Sequence, residues 1–189
     1  MNTPAHLVFG LAAFGRPGRP TLIAASLAGA TIPDLSLYAL AGFELARGTP
    51  ARTVFDELYW SDGWQTVFAV DNSIPLFAAL LGLGLALRRG WVVALAGAAL
   101  LHLAADLALH HDDARRHFWP LSDWVFVSPV SYWDPAHHGR LVAPLETAAT
   151  LALCAVLWMR HRSRRVRAAV AALGAAQLAP AVVWTVMLG

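Results

Sequence analysis

The residues able to do chemistry crowd into one stretch, His102-Leu-Ala-Ala-Asp106-Leu-Ala-Leu-His110-His111-Asp112-Asp113-Ala-Arg-Arg-His117. His102, Asp106 and His110 are spaced i, i+4, i+8, so a helix stacks them on one face. Asp113 and His117 continue that face if the helix lasts that far. Imidazole nitrogens and carboxylate oxygens in a row are donors for a hard-to-borderline divalent metal. The predicted site is therefore a metal held by His102, Asp106 and His110. His6 and Asp34 are expected to join from neighbouring helices, and His117 and Glu146 are further candidates. Other readings compete at the margins. Asp71-Asn72 fits a helix cap as well as a ligand. Glu146, two residues past Pro144, fits a first-turn acid favoured by the helix dipole. His137-His138 reads as solvated loop and His161 as part of a basic turn.

The surroundings of these residues are those of a membrane protein. Of 189 residues, 58% are hydrophobic and 14% charged, with a mean hydropathy of +0.53, outside the usual range of soluble domains. The expectation is one integral membrane domain over 1–189, an all-α polytopic bundle of about five spans plus a short N-terminal helix. All fourteen basic side chains are Arg. The single Cys154 rules out an intrachain disulfide framework and reads as a small core residue.

Along the chain, Met1–Phe14 is too short for an easy crossing and predicts a short or re-entrant helix. Gly15–Pro20 breaks it. Residues 21–43 predict a span interrupted by Pro33 and carrying Asp34 at membrane depth. Residues 44–64 mix charges with Tyr59, Trp60 and Trp64, as a surface loop or interfacial helix does. Spans follow at 65–87, from Trp91 to about His111, at 141–159 and at 168–188. The connection 112–140 is polar, aromatic and proline-containing. That length without a helical period is a mark of function or mobility.

Threading these spans alternately places Arg16, Arg19, Arg88, Arg89, Arg160, Arg162, Arg164, Arg165 and Arg167 on one side with no acid. All twelve acidic residues fall toward the other side. By the positive-inside tendency the arginine side is cytoplasmic, and the loops 44–64 and 112–140 are extracytoplasmic. Every acid or histidine entering a span then enters from the outer leaflet. Each acid would cost about 2.5–3.5 kcal/mol facing lipid at a helix centre, a cost that sharing an ion offsets. The basic turn at 160–167 points to anionic lipid, with no nucleic-acid partner expected.

Thr3-Pro-Ala-His6, Ala30-Thr-Ile-Pro33-Asp34, and His102-x-x-x-Asp106 followed by Phe118-Trp-Pro120-Leu-Ser122 occur in that order. This arrangement resembles the YdjM-like inner-membrane metal-dependent hydrolases, a family linked by name to LexA regulation. The resemblance covers most of the chain through about Ser122. It implies a multi-helix membrane fold, a zinc-like metal and hydrolase activity in a bacterial inner membrane, with His6, Asp34, His102 and Asp106 as the matching positions. The family's Arg-Gly-x-Thr-His-Ser-like segment has no counterpart here. Val70-Asp71-Asn72-Ser73 occupies that region without a His, and His110, His111 and His117 are the residues available to compensate.

The functional expectation is a membrane-bound metal-dependent hydrolase. Its site lies near the extracytoplasmic face, and zinc is the expected ion. Asp34 or Glu146 would act as general base, and the substrate would be a lipid ester or phosphodiester. Two other classes fit the same residues: a carrier of metal or small solutes, and a structural membrane protein with a folding metal.

Overall fold

Proline starts and small-residue seams shape the bundle. The computed structural model describes the backbone of residues 1–188 and the side chains through residue 179. Among the described residues the chain is helical without strands. Pro4 opens α1 (Thr3–Phe14) and Pro20 opens α2 (Pro20–Ala46), at the position where a missing N–H costs nothing. A short α3 (Ala51–Thr53) runs into a π-helical turn (Val54–Leu58). Then come α4 (Asp62–Asp71), α5 (Ile74–Ala86), α6 (Gly90–Leu109), a 3₁₀ turn (Pro135–His137), α7 (Gly139–Arg160) and α8 (Arg164–Leu188).

Four segments are long and apolar enough to cross a membrane: Pro20–Ala46, Asp62–Ala86, Gly90–Leu109 and Gly139–Arg160. Their outward faces carry large apolar side chains, among them Leu35, Phe43, Leu83, Leu85, Leu145 and Met159. An apolar surface of that extent suits lipid and not water. The expected helical membrane bundle with a short N-terminal helix is what the chain forms. The expected fifth span at 168–188 falls on α8, whose side chains from residue 180 onward lie outside the described residues.

Helix α6 is the hub, packed against α1, α2 and α5. Glycine lets the backbones close. A Cβ on Gly29 of α2 would stand 2.0 Å from the Leu95 carbonyl oxygen, and one on Gly97 of α6 would stand 2.5 Å from the Phe14 ring. Such small-residue contacts are how membrane helices approach closely where the hydrophobic effect supplies no drive. Val8 and Leu11 of α1 pack with Leu157 and Val170 of α7 and α8, while Phe77 of α5 packs with Ala99 and Leu103 of α6.

Two expectations change in detail. Helix α2 runs through Pro33 without ending, and Asn72 Nδ2 donates to the Pro33 carbonyl at 2.9 Å. The single span expected at 65–87 is two helices broken at Asn72-Ser73. Ser73, and not Asp71 or Asn72, caps the second by accepting from Leu76 N–H at 3.2 Å. The break is held by the long connection: the His117 carbonyl accepts Ile74 N–H at 2.8 Å, and the Ser73 hydroxyl donates to the Trp119 carbonyl.

The turns at 15–20 and 160–163 line one cavity of about 490 Å³, and a Cβ on Gly90 would stand 3.8 Å from the Leu22 side chain just beyond the first turn. The three arginine-bearing turns thus gather at one end of the bundle. The acids that enter helices gather at the other.

Candidate metal centre

Three elements bring the site together: the start of α1, the middle of α2 and the last two turns of α6. Among the described residues, one group has ligand atoms all within 4.8 Å of one another, His6, His102 and Asp106, and all three are buried. His6 Nε2 lies 2.9 Å from Asp106 Oδ1, and His102 Nε2 lies 2.9 Å from Asp106 Oδ2. The two imidazoles stack with ring centres 3.5 Å apart and planes 5° from parallel. Asp34 stands at the edge, its Oδ1 3.7 Å from His102 Nε2.

The donor chemistry fits a metal. His102 Nδ1 donates to the Ala30 carbonyl at 2.8 Å, which leaves Nε2 as the lone-pair nitrogen. That Nε2 is buried and makes no hydrogen bond of good geometry, although Asp106 Oδ2 stands 2.9 Å and Asp34 Oδ1 3.7 Å from it. A histidine oriented through one nitrogen by a backbone carbonyl, with the other free, is the usual posture of a ligating imidazole. Two imidazoles and a carboxylate match the three-protein-ligand sets of zinc sites that keep one position open. The site accepts positive charge in another way too, since the Met1 ammonium lies 3.0 Å from Asp106 Oδ1 and 3.4 Å from His110 Nε2.

The remaining predicted residues are placed as follows. Helix α6 ends at Leu109, so the ladder is helical through Asp106, and His110 caps it with its N–H on the Asp106 carbonyl at 3.0 Å. His110 Nε2 still reaches Asp106 Oδ1 at 3.1 Å, while its Nδ1 lies 2.9 Å from Asp113 Oδ2. Burial pushes the Asp113 carboxyl up, but the hydrogen bond and charge of His110 outweigh it and hold it below the ordinary carboxylate range. His117 is carried away from the ladder to the α4–α5 break, where its Nδ1 donates to the Asn72 carbonyl at 3.2 Å. Burial there lowers its basicity. Glu146 Oε1 accepts three hydrogen bonds, from Asn2 N–H at 2.9 Å, Asn2 Nδ2 at 3.0 Å and Gln177 Nε2 at 3.0 Å. It ties α1 to α7 and α8.

The connection after α6 folds back over the helix end. Ser128 Oγ donates to the Ala108 carbonyl at 2.6 Å, Tyr132 N–H to the Leu109 carbonyl at 3.0 Å and Ser128 N–H to the His110 carbonyl at 3.1 Å. These are carbonyls that a helix C-terminus leaves without partners. The loop thereby roofs the site.

Two cavities flank the triad. One of about 600 Å³ is lined by Asp34, Asp106, His110 and Arg115 among others. A second of about 260 Å³ is lined by His6 and His102 with the apolar Phe9, Leu101, Ala104 and Ala105. Thr3 and Tyr38 join the site without having been candidates for it. Thr3 Oγ1 donates to Asp34 Oδ2 at 2.6 Å and shares a 2.5 Å hydrogen bond with the Tyr38 hydroxyl. Tyr38 lies one helical turn after Asp34, a spacing that could have flagged it. Thr3 has no such signal, because its partners lie on another helix.

Fold and site together define a helical, membrane-type bundle with a buried two-histidine, one-aspartate centre able to hold a metal. Comparisons with protein-family models, curated proteins and solved structures return no match.

Proposed function

We propose that this chain is a membrane-bound, metal-dependent hydrolase of the kind represented by the YdjM-like family, acting on an ester or phosphodiester of a lipid-like substrate. The observation that carries the reading is the buried His102 Nε2, turned onto Asp106 at 2.9 Å and Asp34 at 3.7 Å while its Nδ1 is fixed by Ala30. His6, His102 and Asp106 would hold the ion, with zinc the best match to that donor set. When bound, such an ion supplies Lewis-acid activation of water and of the scissile carbonyl or phosphoryl oxygen.

The protein's own groups then have separable tasks. Asp34 lines the larger cavity with one oxygen held by Thr3 and the other turned toward the triad. That posture suits a general base taking a proton from the attacking water at Oδ1. His110 braces Asp106 and Asp113 from the roof. Glu146 holds Asn2 and Gln177 through Oε1 alone and keeps a buried, unpartnered Oε2; with its engaged oxygen on the start of α1, it is assigned the positioning of that helix. A cavity that sets Asp34, Asp106 and Arg115 beside Phe55 and Trp60 on one side of the triad, and a more apolar one on the other, suit an amphiphile. The arginine-rich end is the cytoplasmic one on this reading, and the site faces outward in a bacterial inner membrane.

The test begins with metal analysis of the purified protein. Wild type is expected to carry a divalent ion that His102→Ala and Asp106→Ala lose; unchanged metal content in both variants would remove the site. A short-chain phospholipid or a chromogenic phosphodiester should then be turned over by wild type and not by Asp34→Ala. Metal flux into proteoliposomes without hydrolysis would assign a carrier instead.

A further inference from the structure

Arg115 does something that its neighbours in the sequence do not explain. Its position beside Asp112 and Asp113 suggests simple charge neutralisation, yet no carboxylate lies within 4.0 Å of it among the described residues, whereas Arg116 pairs with Asp123 at 3.5 Å. It is also the one arginine that is buried, at 7% exposure. The guanidinium lies over the Phe68 ring at 4.4 Å and the Tyr59 ring at 5.5 Å. Its Nη2 donates to the Tyr59 hydroxyl at 3.2 Å, and its Nη1 has no partner at all. Aromatic faces stabilise a cation only in part. A buried guanidinium with an idle donor is a group waiting for an anion.

The same residue lines the 600 Å³ cavity together with Asp34 and Asp106. We propose that Arg115 is the anion-recognising residue of this cavity and that the group it receives is a phosphate, whether from a lipid headgroup or free in solution. The acids Asp34, Asp106, Asp112 and Asp113 in the lining repel an anion, which leaves Arg115 as its point of attachment. Carboxylate and phosphate both engage the planar guanidinium fork, but a carboxylate held that way has no oxygen left over. A tetrahedral phosphate can meet Arg115 with some oxygens and keep another for the metal centre. This choice of substrate class rests on the hydrolase reading; the anion site rests on Arg115 itself. The Tyr59 hydroxyl, accepting from Arg115, keeps its own proton to donate to a phosphate oxygen. Phe55 and Trp60, both about half exposed in the lining, offer apolar contact for the remainder of an amphiphile.

The experiment is a binding titration on the purified full chain in detergent with two probes, inorganic phosphate and a short-chain phosphatidic acid. Wild type and Arg116→Gln should bind alike, and Arg115→Gln should bind about ten- to hundredfold more weakly, the size of one charge-assisted contact. Its metal content should stay at the wild-type level. Tighter binding of the lipid probe assigns a lipid source, and equal binding assigns free phosphate. Wild-type affinity in Arg115→Gln, or no binding of either probe to wild type, overturns the proposal. If Arg115→Gln does not purify, Arg115→Lys decides in its place: a loss of about tenfold from the missing fork supports the proposal, and wild-type affinity overturns it. Arg115-dependent phosphate binding by a wild type that carries no metal supports this site while overturning the hydrolase reading.

Discussion

The two ends of the bundle carry cavities of similar size, about 600 Å³ and about 490 Å³, and opposite charge. At the arginine end, Arg16, Arg19 and Arg162 stand exposed in turns and Arg164 at the start of α8. His161 is buried there and its Nε2 has no hydrogen-bond partner. Yet no carboxylate and no second imidazole approach it among the described residues. At the acidic end the ionisable groups sit inside helices and touch one another through Asp106. An unpartnered histidine in a cavity is therefore a weak sign of a metal. A histidine held through one nitrogen and aimed at a shared carboxylate is a stronger one.

The largest expected effect comes from removing that shared carboxylate. Asp106→Ala strips the common partner from His6, His102, His110 and the Met1 ammonium. It should abolish metal binding and cost about 3–5 kcal/mol of stability, as breaking buried pairs does, read by metal content and by denaturant unfolding in detergent. His161→Ala at the other end should leave metal content unchanged, and a loss there would erase the contrast between the ends.

Next in size is the seam that positions the site. Gly29→Leu forces side-chain atoms into the Leu95 carbonyl and should cost about 1–3 kcal/mol or more through overpacking. Metal affinity should fall with it, because α2 carries Ala30 and Asp34. A variant that unfolds earlier but keeps full metal affinity would show that α2 is dispensable to the centre.

Glu146→Ala should cost about 1–3 kcal/mol by leaving the buried Gln177 donor and the half-buried Asn2 donors unpaired, with little effect on metal content. Parallel loss of metal and stability would instead make Glu146 part of the ligand set.

The smallest effect belongs to the roof. His137 Nδ1 donates to Asp134 at 2.5 Å, and with the Ala136 N–H at 2.9 Å it holds the Asp134 carboxyl below the usual carboxylate range. A depressed folded value means that the ordering it supports is present above the ordinary carboxylate pKa and fades as pH falls through the folded one. Amide protection at 131–139, measured relative to the intrinsic exchange rate at each pH, should fall in acid, and Asp134→Ala should flatten that dependence at the cost of lower protection at neutral pH.

The His102–Asp106 pairing was legible from spacing, since i, i+4 on a helix is a geometric fact. The membrane class was legible from composition. His6 and Asp34 could be named as apolar-context ionisable residues. Their contact with His102 depended on two glycine-lined helix crossings that no single helix encodes. His117 was misleading for the opposite reason: it follows the ladder's spacing, but α6 stops at Leu109 and the chain turns away.

By itself, the sequence determined which segments are apolar enough to be membrane helices, where proline starts them, and which helix carries the metal-type ladder, because these depend on local composition and on a period of 3.6. Only the tertiary structure decided that His6 stacks on His102, that Glu146 Oε1 binds Asn2 and Gln177, and that Arg115 is left without a carboxylate. Those outcomes depend on how closely α1, α2 and α6 can approach and on where the loop after α6 finds its hydrogen bonds. They are properties of packing between distant parts of the chain.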